Sequence, residues 1–344
     1  MSLEHYHSTT YSHCLSESSY FLTTTYLTTT LSIIAVFSIP FSMYGVYCIL
    51  WITPKQMSSA KWALFNVHFW TIALDFVLNV LSIPMVFLPS YSGIMLGLGS
   101  HIGMSHPLLQ YLIKAILGIF YSAVIGLFEN RQNVMLTKWK IKRIWARVLL
   151  NSFNYLVAVL LILPPYLMTH DVYKIKLEIL ELIPCPVETF FDSATFALTD
   201  HPQIITTIIL IQSVIFVPQT TFFIAHNVYY LVFAHNSQVS MNTRRMQWKF
   251  LRATFSQIAI PTLILVPPVF YIVFSMNTEY YNQELNNHTV VWMSTHGLMS
   301  TGCMVFTHQP YREHFIKCVT FGRVPDKKNS IRMAIPVTSL NQIN

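Results

Sequence analysis

Charge is scarce in this chain. Of its 344 residues only 10% are Asp, Glu, Lys or Arg, against roughly 25% in an ordinary soluble domain, which excludes a globule whose whole surface is solvated by water. Glycine numbers only 10 and cysteine 5, which excludes a collagen-like repeat and a disulfide-stapled secreted scaffold. Aromatics at 14% exclude intrinsic disorder. Met1 to Cys14 has neither the basic flank nor the apolar core of a cleavable signal peptide, so the first apolar run is expected to insert as its own signal. H-E-x-x-H, clustered His boxes and a phosphate-cradling Gly loop are also missing. An enzyme is therefore the least supported class, and no cofactor or metal is expected.

What the chain has is apolar length. Seven runs are long enough to cross a bilayer core of roughly 30 Å: Leu31 to Ile52, Trp62 to Phe87, Leu108 to Phe128, Val148 to Met168, Ile204 to Phe233, Ala253 to Phe274 and Val290 to Thr307. In lipid each must satisfy its own backbone, so each is expected to be a helix. The formal charge of +7 is distributed for topology rather than for nucleic acid. All of the 21 Lys and Arg except Lys114, Lys174 and Lys176 fall in the odd connections or after the seventh run. By the positive-inside rule those segments face the cytoplasm. The expected fold class is an all-α membrane protein, a seven-transmembrane helix bundle with its N-terminus outside and its C-terminus cytoplasmic. Residues 1–30 form the extracellular tail, 31–308 the helix domain and 309–344 the cytoplasmic tail.

The segment from Tyr44 to Phe76, YGVYCILWITPKQMSSAKWALFNVHFWTIALDF, resembles nematode chemoreceptors of the serpentine receptor class H (Srh) family. So do FENR at Phe128 to Arg131, YYNQELNN at Tyr280 to Asn287, and HGLMSTGCMVFTHQPYR at His296 to Arg312. Gln132, after FENR, departs from the aromatic or His expected there. The resemblance implies a chemosensory G-protein-coupled receptor that binds a small-molecule cue and signals to a heterotrimeric G protein. It also implies a place in the plasma membrane, at the cilium of a sensory neuron. The competing reading of the spans alone is a small-solute transporter, although no internal repeat of the kind transporters carry is evident.

Polar residues inside the spans are the candidate sites, because ionisable groups in lipid are costly and face the bundle interior. In the second run His68, Thr71, Asp75, Asn79 and Ser82 recur at intervals of three and four, one helical stripe. Asp75 and Asn79 are candidates for a polar switch, with a plain interhelical contact as the alternative. Lys114 lies roughly 9 Å below the outer end of the third run. It pairs with Asp75, snorkels to the interface, or holds an acidic ligand, with Gln110 one turn above it and His296 at similar depth as further pocket candidates. Glu129 and Arg131 end the third run, where they form a breakable ion pair or simply anchor the helix. Pro261, Pro267 and Pro268 interrupt the sixth run, and bending near Pro261 would move Arg244, Arg245, Lys249 and Arg252, the basic candidates for G-protein coupling, outward; the alternative is that these residues only fix topology.

Of the cysteines, only Cys14 and Cys185 fall on the outer side, as a disulfide or as two thiols. Asn287 opens a glycosylation sequon next to the seventh run. Cys318 follows an amphipathic stretch, Pro310 to Lys317, expected along the inner leaflet with Phe315 and Ile316 toward lipid, and is a palmitoylation candidate.

Overall fold

The structure is a computed structural model that describes residues 3–14, 19–54, 58–135, 140–168, 171–199, 202–232 and 241–321. The side chains of Arg244 and Pro261, and the expected tail beyond residue 321, lie outside the described residues.

A short helix, α1 (Leu3–Thr9), precedes the first span. That span, α2 (Thr24–Tyr47), begins where Thr23 Oγ1 accepts from the Tyr26 amide at 3.1 Å, and it runs into a π-helical turn at Cys48–Ile52. The cap lies ahead of the apolar run, so the helix starts about two turns before Leu31. The second span is α3 (Ser58–Phe76) with a π-helical continuation, Val77–Ser82. It stops at Ile83, whose φ of 42° is left-handed, a conformation a β-branched residue adopts only at a break. The expected span to Phe87 is corrected here. Pro84–Val86 is a strand, β1, paired antiparallel with β2 (Ser92–Met95) in the register Pro84↔Met95. A short apolar stretch such as Pro84 to Phe87, taken by itself, reads equally as helix or strand.

After α4 (Leu98–His101) comes the third span, α5 (His106–Met135), which extends about two turns past Phe128. The fourth, α6 (Ile144–Leu160), is 17 residues long and gives way to α7 (Pro164–Leu167), since Pro164 and Pro165 lack the amides to continue it. A loop follows with α8 (Val172–Leu182), capped by Asp171, and β3 (Phe196–Ala197), which adds to β2 with Ser92 opposite Ala197. The fifth and sixth spans are α9 (Pro202–Val232) and α10 (Met241–Thr278). The seventh is divided into α11 (Gln283–Ser294) and α12 (His296–Thr307), and α13 (Gln309–Val319) closes the described chain.

Five of the described helices are long and apolar enough to cross a membrane alone; α6 and the divided seventh span complete the bundle. Phe120, Val124, Leu127 and Phe128 of α5 are buried at its centre, while Val36, Phe37, Val214, Phe222 and Leu263 point outward. An apolar exterior of this extent is stable only against lipid.

The amino-terminal end of the bundle carries a roof made of the three-stranded sheet, order β1-β2-β3, and the loop containing α8. Cys14 and Cys185 are joined in a disulfide with Cα atoms 5.7 Å apart, tying the amino tail to that loop. Lys176 of α8 is buried with its Nζ donating to the Asp192 carbonyl at 2.8 Å. Burial holds its pKa below the ordinary lysine value, with the charge of Asp192 opposing that shift. At the opposite, basic end α13 folds back on the first span. The Tyr311 hydroxyl is 2.6 Å from Thr53 Oγ1, and Tyr44 Oη is 2.9 Å from His314 Nδ1. Phe315 turns inward onto Phe41, Tyr44 and Phe306 rather than toward lipid. The wide aromatic surface of α2 explains that inward turn.

Candidate functional site

Beneath the roof lies a cavity of about 460 Å³ between α5, α7, α9 and α10, within the usual range for small-molecule sites. Its walls are Leu, Ile, Val and Phe; polar groups are few. Lys114 enters from α5, and no carboxylate forms a salt bridge with it among the described residues. Its Nζ sits 5.8 Å from the centre of the Tyr91 ring, a favourable place for a cation. Tyr91 is fixed from two sides, by Gln110 Nε2 donating to its hydroxyl at 3.2 Å and by the Tyr166 hydroxyl at 3.4 Å. Tyr121 and Gln212 line the wall below, and the Gln212 Nε2 is buried with no hydrogen-bond partner. Met293, on α11, also lines the wall.

Met293 connects this cavity to a polar column beneath it. Its carbonyl lies 3.0 Å from His296 Nδ1, and because a carbonyl only accepts, Nδ1 carries the proton. The same Nδ1 is 3.3 Å from Asp75 Oδ1, and both residues are buried. Asn79 Nδ2 donates to the Ser294 carbonyl at 3.2 Å, at the end of α11. His68 Nε2 lies 3.0 Å from the Ser42 carbonyl, where it donates. The whole second-span stripe, His68, Thr71, Asp75, Asn79 and Ser82, is buried. Gly297 makes room for it, since a Cβ there would fall on the Asp75 carboxylate. The column therefore crosses the seventh span at its break, Thr295, where the last carbonyls of α11 bond to side chains of other groups.

At the basic end Glu129 does not face Arg131. Residues two apart on a helix point in different directions, and Glu129 instead receives Nε and Nη2 of Arg147 at 2.6 and 2.9 Å. This corrects the expected pair and joins α5 to α6. Arg131 is buried on the side of His308, which it influences electrostatically. The departing residue Gln132 bonds His226 of α9, and Asn227 Nδ2 donates to the Phe128 carbonyl at 3.1 Å. Arg245, Lys249 and Arg252 are exposed on α10.

Residues 23–321 match the family described as Serpentine type 7TM GPCR chemoreceptor Srh. This chain belongs to the Srh family. Serpentine receptor class H-72 of Caenorhabditis elegans is 26% identical over 315 residues, covering 90% of this chain and 89% of that one. The crystal structure of squid rhodopsin resembles it with a TM-score of 0.54, over 96% of each chain and at 10% identity, a likeness of fold alone. A seven-helix membrane receptor family, not an enzyme family, is thus established.

Within this Srh fold the sequence-predicted candidates separate. Lys114 lines the large cavity; Gln110 stands behind it as a support for Tyr91, lining only a small adjoining space of about 40 Å³. His296, a pocket candidate whose other reading is a hydrogen-bonded packing residue, is not among the residues lining the cavity: it is fully buried below it, with its ring turned to Asp75 and Phe120. Asp75 consequently meets His296 and not Lys114. Asn287 is inside α11 and buried, its Nδ2 donating to the Phe21 carbonyl at 2.7 Å and its Oδ1 accepting from Gln283, so the folded chain leaves no space for a glycan there. The helix starts two turns before the apolar run because Asn282 caps it. Cys318 is exposed at the end of α13, 3.6 Å from His314 Nδ1. Sequence reasoning missed Tyr91, Tyr121, Tyr166, Gln212, Met293 and Arg147. Gln212 alone carried a signal, as an amide within an apolar run.

Proposed function

We propose that this chain is a chemosensory receptor that binds a small, mostly apolar molecule carrying a carboxylate in the cavity around Lys114, and reports it to a heterotrimeric G protein. The observation that carries this reading is a lone ammonium, without a salt-bridge partner among the described residues, at the polar end of an otherwise apolar cavity. A cation there costs free energy unless something compensates it. The Tyr91 ring supplies part of that compensation, and a ligand carboxylate supplies more.

In this reading the amino tail is extracellular, the basic end faces the cytoplasm, and the receptor resides in the plasma membrane of a sensory cilium. Ligand against Met293 biases the break at Thr295 through the Met293 carbonyl, His296 and Asp75. The resulting change between helix arrangements reaches Glu129, Arg147 and Arg131, and with them the exposed Arg245, Lys249 and Arg252 of α10. A ligand has this effect only insofar as it binds the two arrangements unequally. The C-terminal α13, with Cys318 at its end, rests against the inner leaflet.

The test uses receptor expressed in cultured cells with nucleotide exchange on added G protein as readout. A panel of lipophilic acids and their alcohol counterparts is applied to wild type and to Lys114→Met. Selective loss of the acid responses supports the reading; equal loss of acid and alcohol responses refutes it.

A further inference from the structure

The cavity is closed above and open at one side. Over Lys114 the roof consists of Leu88, Tyr91, Phe196, Leu198, Ile205 and Met276, all buried in one apolar cluster. Leu88 and Tyr91 lie in the turn between β1 and β2, Phe196 is in β3, the three strands are hydrogen-bonded in one sheet, and the loop carrying β3 is held to the amino tail by the Cys14–Cys185 disulfide. A ligand arriving from water would have to displace that packing.

Toward the outside of the bundle the wall is different. Val217 of α9 and Phe270 of α10 line the cavity and are 60% and 72% exposed. Leu210, Ser213 and Val266 share this double character. Cavity-lining side chains that stay this accessible stand at the cavity's open margin. The exterior around it, with Val214, Leu263 and Phe274, is apolar, so the gap gives onto hydrocarbon rather than water. Both helices bordering it carry proline there, Pro218 in α9 and Pro267 and Pro268 in α10. Proline removes the backbone bond to the preceding turn and eases local bending.

We infer that ligand enters sideways from the bilayer, between α9 and α10, and that the cognate molecules are lipid-soluble acids that partition into the membrane before they bind. The inference rests on the cavity reading above. Such an acid lies with its carboxylate near the interface and its chain among the lipids, which matches Lys114 at the roof and the apolar wall below it.

The experiment places full-length receptor in lipid nanodiscs and follows binding of radiolabelled dodecanoic acid, with dodecanol as the uncharged control. Val217→Trp should slow association and dissociation together, by about tenfold or more, equivalent to roughly 1.4 kcal/mol on each barrier. Phe270→Ala should speed both, and it tests the route alone if the Trp variant does not fold. Rates that stay at wild-type values in every folded variant, while binding still depends on Lys114, would overturn lateral entry and leave the cavity reading intact. Absence of binding to wild type, or equal binding of the acid to Lys114→Met, would remove the cavity reading and the route with it.

Discussion

Replacing Arg147 by Met should destabilise the bundle by about 3 kcal/mol. The Glu129 carboxylate is only 2% exposed, and it meets the guanidinium at 2.6 and 2.9 Å. Removing one partner of a buried pair costs about 3–5 kcal/mol, because the other is left as an uncompensated charge. Arg147 is 23% exposed, so water reaches the pair from one side, and the lower end of that range applies. The double variant Glu129→Gln, Arg147→Met removes both charges of the pair, and its cost should fall well below that of Arg147→Met alone. Arg147→Lys should recover only part of the loss, since an ammonium lacks the planar fork that grips both oxygens. The assay is equilibrium unfolding of the four proteins of the cycle by SDS in mixed micelles. A coupling energy within about 0.5 kcal/mol of zero is what independent sites give, and that result would refute the pairing argument.

Three further outcomes are expected. Cys14→Ser, Cys185→Ser and the double variant should each lose about 2–4 kcal/mol, equally, with faster proteolysis near α1; unequal losses would contradict a shared bridge. Gly297→Ala should cost about 1–3 kcal/mol by overpacking, with recovery when Asp75→Ala is added; a wild-type unfolding midpoint for Gly297→Ala would contradict the close approach at the seventh span. Asn287→Gln should leave electrophoretic mobility unchanged with or without glycosidase, while costing about 1–3 kcal/mol as the Phe21 carbonyl loses its donor. A glycosidase-sensitive band present only in wild type would show that this asparagine is accessible.

Helix number and composition were legible in the sequence because lipid demands an unbroken apolar length, which any window reveals. The buried face of the second span was legible too, since its polar residues recur at helical spacing. Partners were not. Spacing placed Asp75 and His296 inside the bundle but could not say that they face each other, and it gave no reason to prefer Arg147 over Arg131 for Glu129. Chain ends of helices were lost where caps lie outside the apolar run, as at Thr23 and Asn282. The roof escaped because its strands follow Ile83, a residue whose sequence neighbours read as more helix. Tyr91 and Tyr166 were invisible as pocket residues, for each sits in a loop or short helix that the third dimension folds over Lys114.

The bond between Cys14 and Cys185 makes α1 and the segment that supplies β3 one mechanical piece. A reporter domain fused ahead of Leu3 would accordingly tug on the ceiling above Tyr91, and its bulk would be felt in ligand assays. A label attached to the exposed thiol of Cys318 rides on α13 at the far end of the molecule, and is the quieter place from which to watch the receptor work.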